Sequence, residues 1–129
     1  MVGLIALIAV LHIIGIYFYL EWRLLWYYPF VHALSGFWVT YVAFTLLGSR
    51  VWLFGSAGRI FLAGFIFSLT AGLLWEVFEL QSGITLLNDS GYWSNSMRDV
   101  ISGVIGGVAS ALFVLITSKK IQLINNKYE

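Results

Sequence analysis

Ile60-Phe-Leu-Ala-Gly64-Phe-Ile-Phe-Ser68-Leu-Thr-Ala-Gly72-Leu-Leu-Trp75-Glu76-Val-Phe-Glu79-Leu80 is the stretch that decides the fold class. It is apolar for long enough to cross a bilayer as a helix, at ~1.5 Å of rise per residue. Its last turns carry two carboxylates, Glu76 and Glu79, three residues apart and therefore on one helix face. The C-terminal end of a helix holds about half a negative charge, so both acids stand at an unfavourable pole. They also repel each other, and a carboxylate near hydrocarbon costs on the order of a few kcal/mol. Something positive, or a proton, has to offset them.

The rest of the chain agrees with a membrane setting. Of 129 residues 60% are hydrophobic and only 10% charged, with a mean hydropathy of +0.91. A water-soluble domain of this size exposes too much surface to carry that composition. The formal charge of +1 and the lack of a basic patch speak against nucleic acid as a partner. With no cysteine, disulfides, thiolate nucleophiles and thiolate metal sites are excluded. No paired serine and histidine pattern points to acyl transfer.

Four spans are expected, over about 2–20, 30–47, 60–80 and 97–117, giving an all-α integral membrane bundle in one domain, 1–129. The first has no basic leader and no small-residue cleavage site, and reads as a retained helix. Trp22, Trp26, Tyr27 and Tyr28 form an interfacial aromatic belt, and Pro29 suits the first turn of the second span. Residues 81–96, rich in Ser, Asn and Gly, read as an ordered surface loop, with Asp89 as a turn former. The segment 118–129 reads as a polar tail. Basic residues set the orientation: Arg50, Arg59, Lys119, Lys120 and Lys127 outnumber Arg23 and Arg98 five to two. Both termini are then cytoplasmic, and Glu76 and Glu79 lie at the extracytoplasmic end.

Two more spans bring ionisable groups to that level. His32 stands a turn into the second span and Asp99 at the start of the fourth. Each ends a stripe of small residues at four-residue spacing: His32, Gly36 and Thr40; Gly64, Ser68, Gly72 and Glu76; Asp99, Gly103, Gly107 and Ala111. Such stripes let helices approach closely in lipid. If they pack together, His32, Glu76, Glu79 and Asp99 converge. One histidine and three carboxylates are a ligand set for Zn, Mn, Fe or Mg. Such a cation could activate water or polarise a phosphoryl oxygen. Glu79 would then serve as a base, with Arg98 steadying an anion. A proton shared between carboxylates is the alternative.

Plainer readings stand beside these. Glu76 and Glu79 could pair with Arg98 or Arg23. Ser96-Met-Arg-Asp99 has capping-box spacing, which would explain Asp99 as a helix cap. His12 and His32 could be buried packing residues, and the glycine stripes packing alone.

The order of motifs resembles one family. His32-x-x-x-Gly36 opens the second span and Trp75-Glu76-x-x-Glu79 closes the third. Asp99-Val-Ile-Ser-Gly-Val-Ile-Gly106-Gly107 opens the fourth. This is similar to the YjdF-type family of small bacterial inner-membrane proteins over roughly Phe30 to Ala111, and more distantly to VanZ-like proteins. Asn95 stands where the first group tends to carry Asp, and Gly103 where the second tends to carry Asn. The resemblance implies a multi-pass protein of the prokaryotic cytoplasmic membrane. Its VanZ-like side implies a role in tolerance of glycopeptide antibiotics at the envelope. The expected activity is on a lipid headgroup or lipid-linked envelope intermediate. The alternatives are a non-catalytic subunit or scaffold, packed with other membrane subunits or with its own copies, and a small transporter.

Overall fold

A computed structural model describes residues 2–47, 56–88 and 90–128, with backbone alone at 21, 22 and 119–128. All regular structure among them is helical: α1 (Val2–Tyr17), α2 (Leu20–Arg23), α3 (Tyr27–Leu47), α4 (Ala57–Gln81) and α5 (Tyr92–Tyr128). Three helices, α3, α4 and the Tyr92–Ser118 part of α5, are long and apolar enough to cross a membrane. The apolar helix α1, at 16 residues, is shorter than its expected span.

The boundaries differ from expectation for local reasons. Tyr19 takes a left-handed conformation (φ 53°, ψ 40°), which ends α1 before the apolar run is exhausted and turns the chain into α2. A non-glycine residue there costs roughly 1–2 kcal/mol, so no compositional signal announces it. At the same end of the bundle α4 ends at Gln81 and the chain turns at Gly83, whose φ of +69° is cheap only for glycine. The Ile84 amide closes this turn by donating to the Glu79 carbonyl at 3.0 Å. Helix α5 begins at Tyr92, five residues before the expected Met97, because the Ser94 hydroxyl (2.8 Å) and Asn95 amide (2.9 Å) both donate to the Gly91 carbonyl. The loop shortens accordingly. At its far end α5 runs on to Tyr128, so the tail is helical. Asp89 and the connection holding Arg50, Trp52 and Phe54 lie outside the described residues.

Helices α3 and α5 run parallel and form the main contact, with α4 antiparallel across both and α1 laid on α3. The small-residue stripes are the contact faces: Gly36, Thr40, Gly64, Ser68, Gly103, Gly107 and Ala111 are all buried. At two points the backbones themselves touch. A Cβ on Gly36 would overlap the Gly103 carbonyl, and one on Gly106 would overlap the Ala33 carbonyl. Below this seam, Phe44, Ile60, Ala63 and Ala111 form an apolar core. Large apolar side chains on the outer faces, such as Leu62, Ile66, Leu74, Ile105 and Ile116, are exposed. A bundle bathed in lipid has no reason to cover them.

Gly36→Ala and Gly106→Ala are expected to lower stability by ~1–3 kcal/mol each, since the seam cannot open without shifting two helices. Gly58→Ala, which meets nothing within 4 Å, should be neutral or slightly stabilising. Thermal unfolding of the purified variants in detergent checks the contrast.

Candidate binding cleft

Parallel packing of α3 on α5 places His32 beside Asp99, with Nε2 and Oδ2 3.8 Å apart. Asp99 is 3% exposed, and the Asn95 amide donates to the same Oδ2 at 2.9 Å. Arg98, which is exposed, donates in turn to the Asn95 side-chain oxygen. These contacts run along one face of α5 at i, i+3 and i+4 spacing. Asn95 stands out in the sequence only as a departure from the family motif; its four-residue spacing from Asp99 marks the bond between them once the helix starts at Tyr92. The earlier start also removes the capping explanation of Asp99, which now lies two turns inside α5.

Glu76 and Glu79 are both buried, at 8% and 7% exposure, but they go separate ways. Glu79 Oε1 accepts from the Trp75 indole N–H at 2.8 Å. Glu76 Oε2 has no hydrogen-bond partner among the described residues. Of the four residues expected to converge, the structure therefore joins His32 with Asp99. Among the described residues, no three His, Asp or Glu side chains gather closely enough to hold a metal ion. The arginines Arg23, Arg59 and Arg98 are exposed.

A cleft of about 410 Å³ opens between α1, α3 and α4, reaching α5 at Asp99 and Gly103. One end is lined by His12, His32, Trp75 and Asp99; further along come Ile5, Ile8, Val39, Ala71 and Ser68. Among the described residues, Glu79 and Arg98 stand outside this lining. His12, read as a packing residue, is one wall. Its ring lies edge-on to Trp75 at 5.9 Å and tilted against Tyr28 at the same distance. Helix α1 is pinned at this end by the Tyr27 hydroxyl, which donates to the Leu11 carbonyl at 2.7 Å. Gly15 leaves room for the Tyr27 ring. The sequence carried no sign of this clamp beyond an aromatic cluster, which has a general explanation at interfaces.

An apolar helical bundle with three helices long enough to cross a membrane fits a membrane protein. The chain is a member of the family described as predicted membrane protein (DUF2238), whose model matches residues 1–120. That agrees with the YjdF-type resemblance, whereas the likeness to VanZ-like proteins rests on motif order alone. No curated protein and no solved structure matches the chain.

Trp75→Phe keeps the ring beside His12 but removes the only polar atom of the indole. It is expected to lower stability by about 1–2 kcal/mol, because Glu79 stays buried with one donor fewer. Thermal unfolding beside Trp93→Phe, an exposed control, checks this.

Proposed function

We propose that the protein spans the prokaryotic cytoplasmic membrane four times and binds an amphiphile in the cleft. The polar group of this ligand lies at the His32–Asp99 pair and its apolar body runs inward along α1, α3 and α4. One observation carries the reading: a single cleft joins a buried acid–histidine pair to an apolar interior. Ligand pockets of 300–1,000 Å³ lined by apolar side chains with few polar groups are the usual form of small-molecule sites. An intramembrane ionisable pair that lines such a cleft is better explained by a ligand than by packing. A lipid headgroup or lipid-linked envelope intermediate has the required shape.

The orientation is N-in and C-in, supported by the excess of basic residues in the second connection and tail. The fourth crossing is α1, whose 16 residues rise about 24 Å, with α2 completing the outer boundary. The polar end of the cleft then faces the outer leaflet. A divalent cation at His32 and Asp99 is a second reading; it would draw its remaining ligands from water or from the amphiphile itself.

Protein purified without added lipid should retain one amphiphile class, identified by solvent extraction and mass spectrometry. Ala71→Phe, which fills the cleft, should lose it while unfolding at a similar temperature. Identical, unselective lipid profiles from the two proteins would leave the scaffold reading in its place. Elemental analysis of the same chelator-free sample separates the second reading, which requires near-stoichiometric Zn, Mn, Fe or Mg that Asp99→Asn abolishes.

A reporter fused after Glu129 should be active only in the cytoplasm. One fused in the loop 82–91 should be active only outside. The opposite pattern would overturn the orientation.

A further inference from the structure

We infer that the polar end of the cleft recognises a protonated primary amine carried on an apolar chain, a reading that rests on the amphiphile site above and narrows its chemistry. Asp99 lines the cleft at 3% exposure, so any group reaching its carboxylate is withdrawn from water. The Asn95 amide and His32 both stand at Asp99 Oδ2, while Oδ1 accepts no hydrogen bond among the described residues and is an acceptor a ligand can reach. Ser35, also on the wall, spends its proton on the Val31 carbonyl at 2.9 Å and so presents its oxygen as an acceptor. Beside them stand the rings of Trp75 and His12. Acceptors and ring faces together are what an ammonium group seeks.

Charge separates the candidate headgroups. Two further carboxylates, Glu76 and Glu79, are buried at the same end of the bundle, the second held by the cleft-lining Trp75. The arginines of the described residues are exposed rather than turned into the cleft. A phosphate or carboxylate arriving at Asp99 would meet like charge in a medium that screens it poorly, whereas a cation is attracted. A primary amine is favoured over a quaternary one because its three N–H groups can satisfy Asp99 and Ser35. A trimethylammonium group brings no donor. The apolar part then lies along α3 from Val31 to Val39, about 12 Å at ~1.5 Å per residue.

Native mass spectrometry of the full chain from maltoside micelles at neutral pH, titrated with four twelve-carbon probes, tests this. Dodecylamine should bind at one per protein, at least ten-fold tighter than dodecanol, dodecanoate or dodecyltrimethylammonium. Asp99→Asn should abolish that preference while keeping dodecanol binding, which also reports an intact cleft. Should Asp99→Asn not fold, Ser35→Ala serves instead, with amine affinity falling several-fold and dodecanol affinity unchanged. Equal binding of amine, alcohol and carboxylate overturns the amine reading and leaves the amphiphile site standing. Binding of none of the four overturns the site itself. Displacement of dodecylamine by phosphatidylethanolamine identifies a lipid headgroup as the source; failure to displace identifies a free single-chain amine.

Discussion

The approach of α3 to α5 at Gly36 and Gly106 is the constraint on which the other features depend. Backbone touches backbone at both positions, with the Gly103 and Ala33 carbonyls occupying the space a Cβ would need. In lipid no hydrophobic force draws helices together, so close packing and polar contacts between them must hold the bundle. Gly36 is one turn inward from His32, and Gly103 one turn inward from Asp99. The same contact that joins the helices therefore sets the His32–Asp99 separation of 3.8 Å. Site and fold share a single cause.

The acids that seemed to form one cluster divide their roles in the structure. Three residues along a helix is a rotation of about 60° from overlap, enough for Trp75, one turn back, to take Glu79 from the side. Glu76 faces the α5 side, in line with Gly72 and its Val100 neighbour, and Asp99 turns to His32 and the cleft. A buried carboxylate is tolerable when donors reach it, and here the Trp75 indole reaches Glu79 and the Asn95 amide reaches Asp99. Three buried carboxylates thus gather at one end of the bundle.

Much of this was legible beforehand, because four-residue stripes of small residues have few uses in an apolar helix other than contact. His32, Gly36 and Thr40, with Asp99, Gly103 and Gly107, face each other as their spacing requires. The stripes fix which levels meet, but not where a long side chain points, so convergence of Glu76 and Glu79 on His32 did not follow from them. Boundaries failed where the deciding event was a single backbone conformation. Tyr19 is left-handed without being glycine or asparagine, and Ser94 and Asn95 serve to start a helix although their composition reads as loop. The Asn95–Asp99 bond was hidden by that second error.

Helix α1 was the least legible element, and its placement explains why a cleft exists at all. It has Gly15 but no repeated stripe, so it cannot draw close to α3 along its length as α5 does. Tyr27 instead holds it at one level, through the Leu11 carbonyl and the Gly15 notch, while His12 bridges to Trp75. A helix clamped near one end diverges from its neighbours toward the other. The space between is lined by apolar residues such as Ile5, Ile8 and Val39 and, near the clamp, by aromatic and ionisable ones. The cleft therefore joins an apolar stretch along α1 and α3 to the ionisable residues near the clamp. The direction of the cleft follows from the position of one tyrosine.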